Sequence, residues 1–422
     1  MFNLVWFEIS GICNAKCKYC QTGRANIERL TSKPPVEKQQ FVDLDEFKKS
    51  IEYMLANHFI NTNTIIGLFS YGEPFLHPKF KEIIYYLSSL NLNIALSTNA
   101  SKPIYFESSN ALKYLKHLTF SMSGFSQESY DKIHGFNFNK IKENIISIIE
   151  NFRQCGFTGS AFIAYHIYQF NITEIQAAME FAKKYDIKFN GYCAYFNGKD
   201  MFEKYLKNEL EYSDLKSAST DLLLGSIEYR LTEFNQMDKN NYNCAQFDIL
   251  TIDENCNVLT CCVYSDVFPN AVYKKIYNVN NVDEINAWRK KSKECKECID
   301  IGLAHAVNHA VLYEEVFQKS EFNKKLALIE GRDLFFWGTG NDAGECLRLG
   351  KNLKISAFVD SNIEKQGGKF NGYDVISPKE LFEKKFGSYF VVIASSKYGK
   401  EMAKELEKNG LVRGKDYTTY YI

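Results

Sequence analysis

The chain has 422 residues, 45% of them hydrophobic, with 51 basic and 51 acidic side chains and a formal net charge of zero. That length supports two or three domains with real cores, and that apolar fraction excludes a disordered polymer. The charge balance marks no nucleic-acid or membrane surface, and no run approaches the roughly 18 apolar residues of a membrane span. The N-terminus has no basic stretch followed by an apolar core, so no secretory signal is expected. With twelve cysteines, the chain is expected in a reducing cytoplasm with thiols available to metal.

Short apolar runs predict strands at 4–10, 64–70, 94–98, 118–123, 161–165 and 187–195. They lack strict alternation, which suits strands buried on both faces. Amphipathic helices fall between them. In one, Leu44, Phe47, Ile51, Met54 and Leu55 share a face, and Asp43 with Glu46 resembles a capping box. Another opens with Pro78 in its first turn and carries Phe80, Ile83, Ile84 and Leu87 on one side. Others are expected at 141–152 and 172–184. Six β–α repeats argue for an α/β fold with a parallel sheet and right-handed crossovers, an open, partial (β/α)6 barrel of the TIM type. Residues 196–243 read as polar bridging helices. A cysteine-dense stretch runs from Cys244 to Cys298, followed by a helical linker. From Arg332 a strand, a glycine turn, a helix and a second strand make a small Rossmann-like unit. The chain therefore divides into the barrel with its bridging helices (1–235), the cysteine-rich region (236–305), the linker (306–330) and the Rossmann-like domain (331–422).

Chemistry concentrates after the first strand, in Cys13-Asn-Ala-Lys-Cys17-Lys-Tyr-Cys20. Three thiolates on one loop can hold three irons of a 4Fe–4S cubane and leave the fourth open to a small molecule. A zinc knuckle with a fourth ligand elsewhere is the alternative. In parallel α/β sheets functional groups collect at the C-terminal strand ends. Here those ends carry Ser70-Tyr-Gly-Glu-Pro74, Ser97-Thr-Asn99, Ser121-Met-Ser-Gly124, and His166 with Asn171. Each alone reads as a turn, a cap or a satisfied core histidine. Together they face one loop of thiols.

The Cys13/Cys17/Cys20 loop with Gly72-Glu73-Pro74 resembles the radical S-adenosylmethionine (radical SAM) superfamily over about residues 1–195. The resemblance implies that Cys13, Cys17 and Cys20 hold a 4Fe–4S cluster whose open iron binds S-adenosylmethionine. It implies that Gly72, Glu73 and Pro74 contact the methionyl amine. Ser97, Asn99 and Ser121 would contact the carboxylate and ribose, and Tyr19 would pack near adenine. The family often has an acidic residue where this chain has Ser123. The chemistry implied is reductive cleavage to a 5′-deoxyadenosyl radical, which abstracts hydrogen from an unactivated C–H bond.

Cys244, Cys256, Cys261, Cys262, Cys295 and Cys298 form a second set, with Trp288-Arg289 before the final pair. It resembles the C-terminal SPASM/Twitch region of radical SAM enzymes, in its shorter form with one auxiliary 4Fe–4S cluster. The resemblance implies Cys244, Cys261 or Cys262, Cys295 and Cys298 as ligands, and an electron-relay role. Cys256 stands where the family usually has a glycine and is expected not to ligate. A zinc site is again the alternative.

In the C-terminal unit, Gly338, Gly340 and Gly344 form a turn between strand and helix, and Asp360 ends the next strand, placed to bind a ribose hydroxyl. Val359-Asp-Ser-Asn362 and Gly372-Tyr-Asp-Val-Ile-Ser-Pro378 resemble small domains of sugar-modifying and surface-polysaccharide enzymes. A nucleotide site and a docking or oligomerisation module are both open there. The reading is thus a radical SAM iron–sulfur oxidoreductase. It would act on a small polar molecule, a sugar or sugar-like alcohol, and draw electrons from a flavodoxin- or ferredoxin-type reductant. Two rivals stand beside it. One is a radical SAM maturase of a ribosomally made peptide, against which a barrel starting at residue 4 leaves no room for a docking domain. The other is a zinc-stapled scaffold on a degenerate barrel.

Overall fold

A computed structural model describes the whole chain except residues 18, 21, 24–25, 27–40, 197–198, 236, 238–241, 263–269, 314–328, 330, 341–342, 345, 348–352, 396–397 and 420–422. It forms two compact units, Met1–Leu312 and Tyr313–Ile422. The predicted linker falls largely outside the described residues.

In the first unit, β1 (Leu4–Phe7), β2 (Ile65–Gly67), β3 (Asn93–Thr98), β4 (Leu115–Ser121), β5 (Ser160–Ile167) and β6 (Lys188–Cys193) pair in sequence order. All five pairings are parallel. The predicted strands sit where the apolar runs placed them. On β5, Ala161, Ile163, Tyr165 and Ile167 are buried against the helices, while alternate residues face the other way. A buried Ile or Phe contributes roughly 1.5–3 kcal/mol relative to exposure, so a face of this kind holds the register of its strand.

Helix Leu44–Ala56 starts where Asp43 accepts from the backbone amides of Asp45 and Glu46, and it buries Phe47, Ile51 and Met54. The expected capping box is only half present. Glu46 instead accepts from the Tyr277 hydroxyl at 2.6 Å and from Lys275 Nζ at 3.3 Å, anchoring the helix to the cysteine-rich region. Helix Phe80–Ser89 buries the four predicted apolar residues, with Pro78 just ahead of its first turn. Two helices, Gln127–Ile133 and Phe138–Gln154, connect β4 to β5. One expectation fails: among the described residues no helix joins β3 to β4. The segment carries Pro103 and Ser108-Ser109-Asn110, and crosses as turns that bury Phe106, Ala111 and Leu112.

The cysteine-rich region continues the same sheet. Strand β7 (Ile249–Ile252) lies parallel to β1 on the side away from β2, and β8 (Asn257–Leu259) and β9 (Val272–Lys275) follow antiparallel. Cys256 occupies the β7–β8 turn with φ 64°, the left-handed conformation that favours glycine. The polar bridge forms helices Lys199–Leu206, Tyr212–Asp221 and Leu224–Asn235. Phe202 and Ile227 of these helices, with Leu222 at the end of the second, share one core with Cys261, Cys298 and Leu303. The outer edge of β6 is covered by the chain returning from helix Leu303–Asn308, with Cys193 N donating to Val311 O at 2.8 Å.

The second unit is a sheet in the order β12 (Lys369–Phe370), β13 (Tyr373–Ile376), β11 (Ile355–Val359), β10 (Asp333–Trp337), β14 (Tyr389–Ile393), β15 (Tyr417–Thr419). All pairs are parallel except β12–β13. The first strand sits centrally and the order reverses between β10 and β14, which opens a crevice at their C-terminal ends. Gly338 has φ 120°, and a Cβ there would sit 2.8 Å from the Ala394 carbonyl, so β10 leaves the sheet where only glycine fits.

Candidate functional site

The rim of the first unit is built around two buried carboxylates. Glu8, just past β1 and 2% exposed, accepts through Oε1 from the backbone amides of Tyr71 at 2.9 Å and Gly72 at 2.8 Å. Glu73 N in turn donates to Ile12 O at 2.8 Å. The Gly72-Glu73-Pro74 segment is thereby pinned to the cysteine loop. A Cβ on Gly72 would collide with the Ser10 carbonyl, so this approach requires glycine. Glu73, 3% exposed, accepts from Thr98 Oγ1 at 2.7 Å, Phe75 N at 3.1 Å and Asn99 N at 2.8 Å. Burial raises its carboxyl to about 7, against the pull of those three donors.

Cys13, Cys17 and Cys20 stand on the loop beside this joint. Asn26 Nδ2 holds the loop by donating to the carbonyls of Cys13 at 2.6 Å and Ala15 at 2.8 Å. Asn99 Nδ2 donates to Cys13 Sγ at 3.6 Å and Asn14 Oδ1 at 3.1 Å. Cys17 Sγ lies 3.1 Å from His134 Nδ1, and Cys20 Sγ lies 3.9 Å from Tyr71 O. Burial, then Glu73 and Cys20, push the Cys13 thiol up to about 12. Burial, then Cys20 and Cys13, push Cys17 up as well. As thiolates these groups would repel one another, so a cationic partner favours their joint ionisation. Among the described residues no group of three His, Cys, Asp or Glu side chains forms a single-ion cage. A cubane spreads its sulfurs over separate irons and needs no such convergence, so this soft, three-thiol donor set fits an iron–sulfur cluster.

Strand register sets the inner face. Ser97 pairs with Thr119, Ser121 with Ala164, and His166 with Tyr192, and these residues share the half-buried side of the sheet. Tyr19 reaches over them, its ring 4.3 Å from that of His166. Ser123 Oγ is 2.7 Å from His166 Nδ1. Asn171 is spent on structure: it holds the β5 exit through His166 O at 3.0 Å and Tyr168 N at 2.8 Å. The structure thus gathers Cys13, Cys17, Cys20, Tyr19, Glu73, Ser97, Asn99 and Ser121 at one end of the sheet.

The second thiol set is equally gathered. None of the twelve cysteines is in a disulfide. Cys244, Cys261, Cys295 and Cys298 line one small cavity with Thr260 and Ile299. Cys262 lies outside it, its thiol 3.6 Å from Gln246 Oε1. Cys256 also lies outside, and Ser50 and Glu46 are among its neighbours. Arg289, 1% exposed, donates to the carbonyls of Gln246 at 3.0 Å, Ile249 at 2.9 Å and Leu259 at 3.2 Å. Among the described residues its buried Nε has no hydrogen-bond partner. Burial disfavours this guanidinium, while Cys261, Cys295, Cys244 and Cys262 work the other way. Beyond these carbonyls, a buried cation beside the thiols favours their ionised form, which fits a four-thiolate metal site.

In the second unit, Gly338, Gly340 and Asp360 line a crevice of about 810 Å³ with Thr339, Ser361 and Lys365. Gly344 is not part of the lining, and among the described residues nothing lies within 4 Å of a Cβ built there. Asp360 accepts from the Thr339 hydroxyl, from Asn362 N at 2.9 Å and from Lys365 Nζ at 3.4 Å. Burial works upward on this carboxyl, yet these donors hold it below the usual range.

The family comparison fits this geometry. Residues 7–182 match the model described as "Radical SAM superfamily". The barrel is a radical SAM domain. Residues 332–415 match a second model, "C2185-like, N-terminal". No curated protein matches the chain in sequence. Among solved structures, SuiB of Streptococcus suis bound to precursor peptide SuiA is 14% identical with a TM-score of 0.46, over 72% of this chain and 70% of that one. Native anSMEcpe with bound AdoMet is 18% identical with a TM-score of 0.43, over 71% and 83%. BtrN in complex with AdoMet and 2-DOIA is 15% identical with a TM-score of 0.33, over 70% and 89%. The radical SAM domain supports an iron–sulfur enzyme of the oxidoreductase type that uses S-adenosylmethionine and a 4Fe–4S cluster.

Gly72→Ala tests the joint. The added methyl must force Ser10 and Gly72 apart, at a cost on the order of 1–3 kcal/mol. The urea midpoint of the metal-free protein is expected to fall, with thiol exposure at the cysteine loop rising. An unchanged midpoint would show that the loop is not held there.

Proposed function

We propose that this protein is a radical SAM oxidoreductase with one auxiliary 4Fe–4S cluster, acting on a small polar substrate, a sugar or sugar-like alcohol. The observation that carries the reading is the pair of thiol sets on one continuous sheet, joined through β1 and β7. Cys13, Cys17 and Cys20 would hold the first cluster, and Cys244, Cys261, Cys295 and Cys298 the second. When bound, the reduced first cluster supplies the electron that cleaves S-adenosylmethionine to a hydrogen-abstracting 5′-deoxyadenosyl radical. The protein's own part is to bind, orient and exclude water. Gly72 and Glu73 offer a backbone edge and a buried carboxylate to the methionyl amine, while Asn99, Ser97 and Ser121 offer polar contacts to carboxylate and ribose. Tyr19 offers an aromatic face to adenine. The polar inner residues Thr119, His166 and Tyr192 suit a hydroxylated substrate better than an apolar one. A four-thiolate auxiliary cluster would supply a one-electron acceptor, which an alcohol radical needs to become a carbonyl, its proton passing to a base.

Substrate chemistry decides between this reading and peptide maturation, which uses the same thiol sets. For the C-terminal unit we propose a nucleotide-type ligand in the Gly338–Asp360 crevice, with Lys365 leaving the carboxylate to meet a phosphate.

Anaerobically reconstituted protein is expected to hold about eight irons, from two four-iron clusters. Replacing Cys13, Cys17 and Cys20 with alanine should remove about half the iron and all S-adenosylmethionine cleavage. Cys261→Ser should lose the other half, whereas Cys262→Ser should keep both clusters. Zinc without iron in the anaerobic protein would reject the reading, and iron loss in Cys262→Ser alone would reverse the ligand choice.

A Cys295→Ala/Cys298→Ala variant separates initiation from oxidation. Once circular dichroism and the first cluster's iron show that it is folded, it should still release 5′-deoxyadenosine while substrate oxidation falls sharply. Oxidation at the parental rate would make the second site structural only.

A further inference from the structure

The cysteine loop has a neighbour that the binding scheme above does not use. His134 closes helix Gln127–Ile133, its backbone N donating to Tyr130 O at 2.8 Å and its carbonyl accepting from Lys16 N at 3.1 Å. Backbone and ring together stitch this helix end to the thiol loop. The ring is buried, with the residue 1% exposed. On one side Nε2 accepts from the backbone amide of Ser123 at 3.2 Å. On the other, Nδ1 lies 3.1 Å from Cys17 Sγ. An amide N–H can only donate, so Nε2 is the acceptor and the neutral ring carries its proton on Nδ1. That proton points at the sulfur. Tyr130, with ring centroids 5.0 Å apart, and Tyr19, at 6.1 Å, flank the imidazole and leave it little freedom to turn.

We propose that His134 donates an Nδ1–H hydrogen bond to the Cys17 sulfur and thereby raises the reduction potential of the cluster that Cys13, Cys17 and Cys20 hold. This rests on the cluster assignment proposed above. The sign follows from charge. A donor dipole aimed at a ligand sulfur favours whichever state carries more negative charge, and that is the reduced one. His134 is therefore a positioning and tuning residue. It touches a metal ligand, not the reacting atoms.

The test uses the full chain, reconstituted anaerobically, reduced, and labelled with ¹⁵N-histidine. Pulsed EPR of the reduced first cluster, identified by its response to added S-adenosylmethionine, should show coupling to a histidine nitrogen. A redox titration compares wild type with His134→Phe, which keeps a buried ring and removes the donor. At a fixed potential the ratio of reduced to oxidised cluster should fall three- to tenfold, tenfold corresponding to about 59 mV for one electron. His134→Gln, which restores an N–H, should recover part of the shift. A cluster signal with no histidine coupling in the wild type, or equal midpoints in wild type and His134→Phe, overturns the proposal. If His134→Phe fails to fold, the wild-type coupling alone decides it. A wild type that takes up no cluster at all overturns the cluster assignment, and this inference with it.

Discussion

The Glu8 carboxylate, buried between two parallel strand ends, is the joint on which the site is assembled. Parallel strands bring their C-terminal ends to one rim but leave the amides just beyond them without ladder partners. At this rim two such amides, Tyr71 N and Gly72 N, are taken by one side chain from the neighbouring strand. A bond from an amide to an ionised acceptor is worth about 1.5–3 kcal/mol, and leaving a buried amide unpaired costs about 1–3 kcal/mol. The loss of Glu8 would therefore be felt twice. What the joint fixes is the distance between the thiol loop and Gly72-Glu73-Pro74, which a loop alone would leave free.

Much of this was legible in the sequence because it is local. The thiol spacing on one loop and the apolar strands are each dictated by chain geometry within a few residues, whereas the glycine at 72 answers to the Ser10 carbonyl of another strand end. Cys256 was set apart by the resemblance, which has a glycine at that position, and its φ of 64° in the β7–β8 turn is a conformation that favours glycine. What stayed hidden depends on partners far along the chain. Glu8 left a faint trace, an acid inside the apolar run Leu4-Val-Trp-Phe-Glu-Ile9. Arg289 left another, a cation beside Trp288 in the midst of cysteines. His134 left none, since its role comes from 117 residues of separation between it and Cys17. The choice between Cys261 and Cys262 was also beyond the sequence. The order of two adjacent thiols does not say which of them meets the others; here Cys261 lines the cavity and Cys262 meets Gln246 Oε1. At the C-terminal turn Gly338 and Gly340 line the crevice with Asp360 and Gly344 does not, a difference that the glycine spacing alone does not show.

The two thiol sets are coupled by the same rim. β1 sits between β2 and β7, so the loop that follows it is flanked on one side by Gly72-Glu73-Pro74 and on the other by the hairpin leading to Cys261 and Cys262. Tyr71 spans the gap. Its amide is held by Glu8, its carbonyl faces Cys20 Sγ at 3.9 Å, and its hydroxyl donates to the Cys262 carbonyl. Burial, then Cys262 and Cys20, raise its phenol well above the ordinary value, which keeps the hydroxyl protonated as a donor. Tyr71 and Glu8 thus join the hairpin to the thiol loop through one continuous run of hydrogen bonds. The cysteine-rich region thus continues the barrel's own sheet, and both donor sets are carried by it.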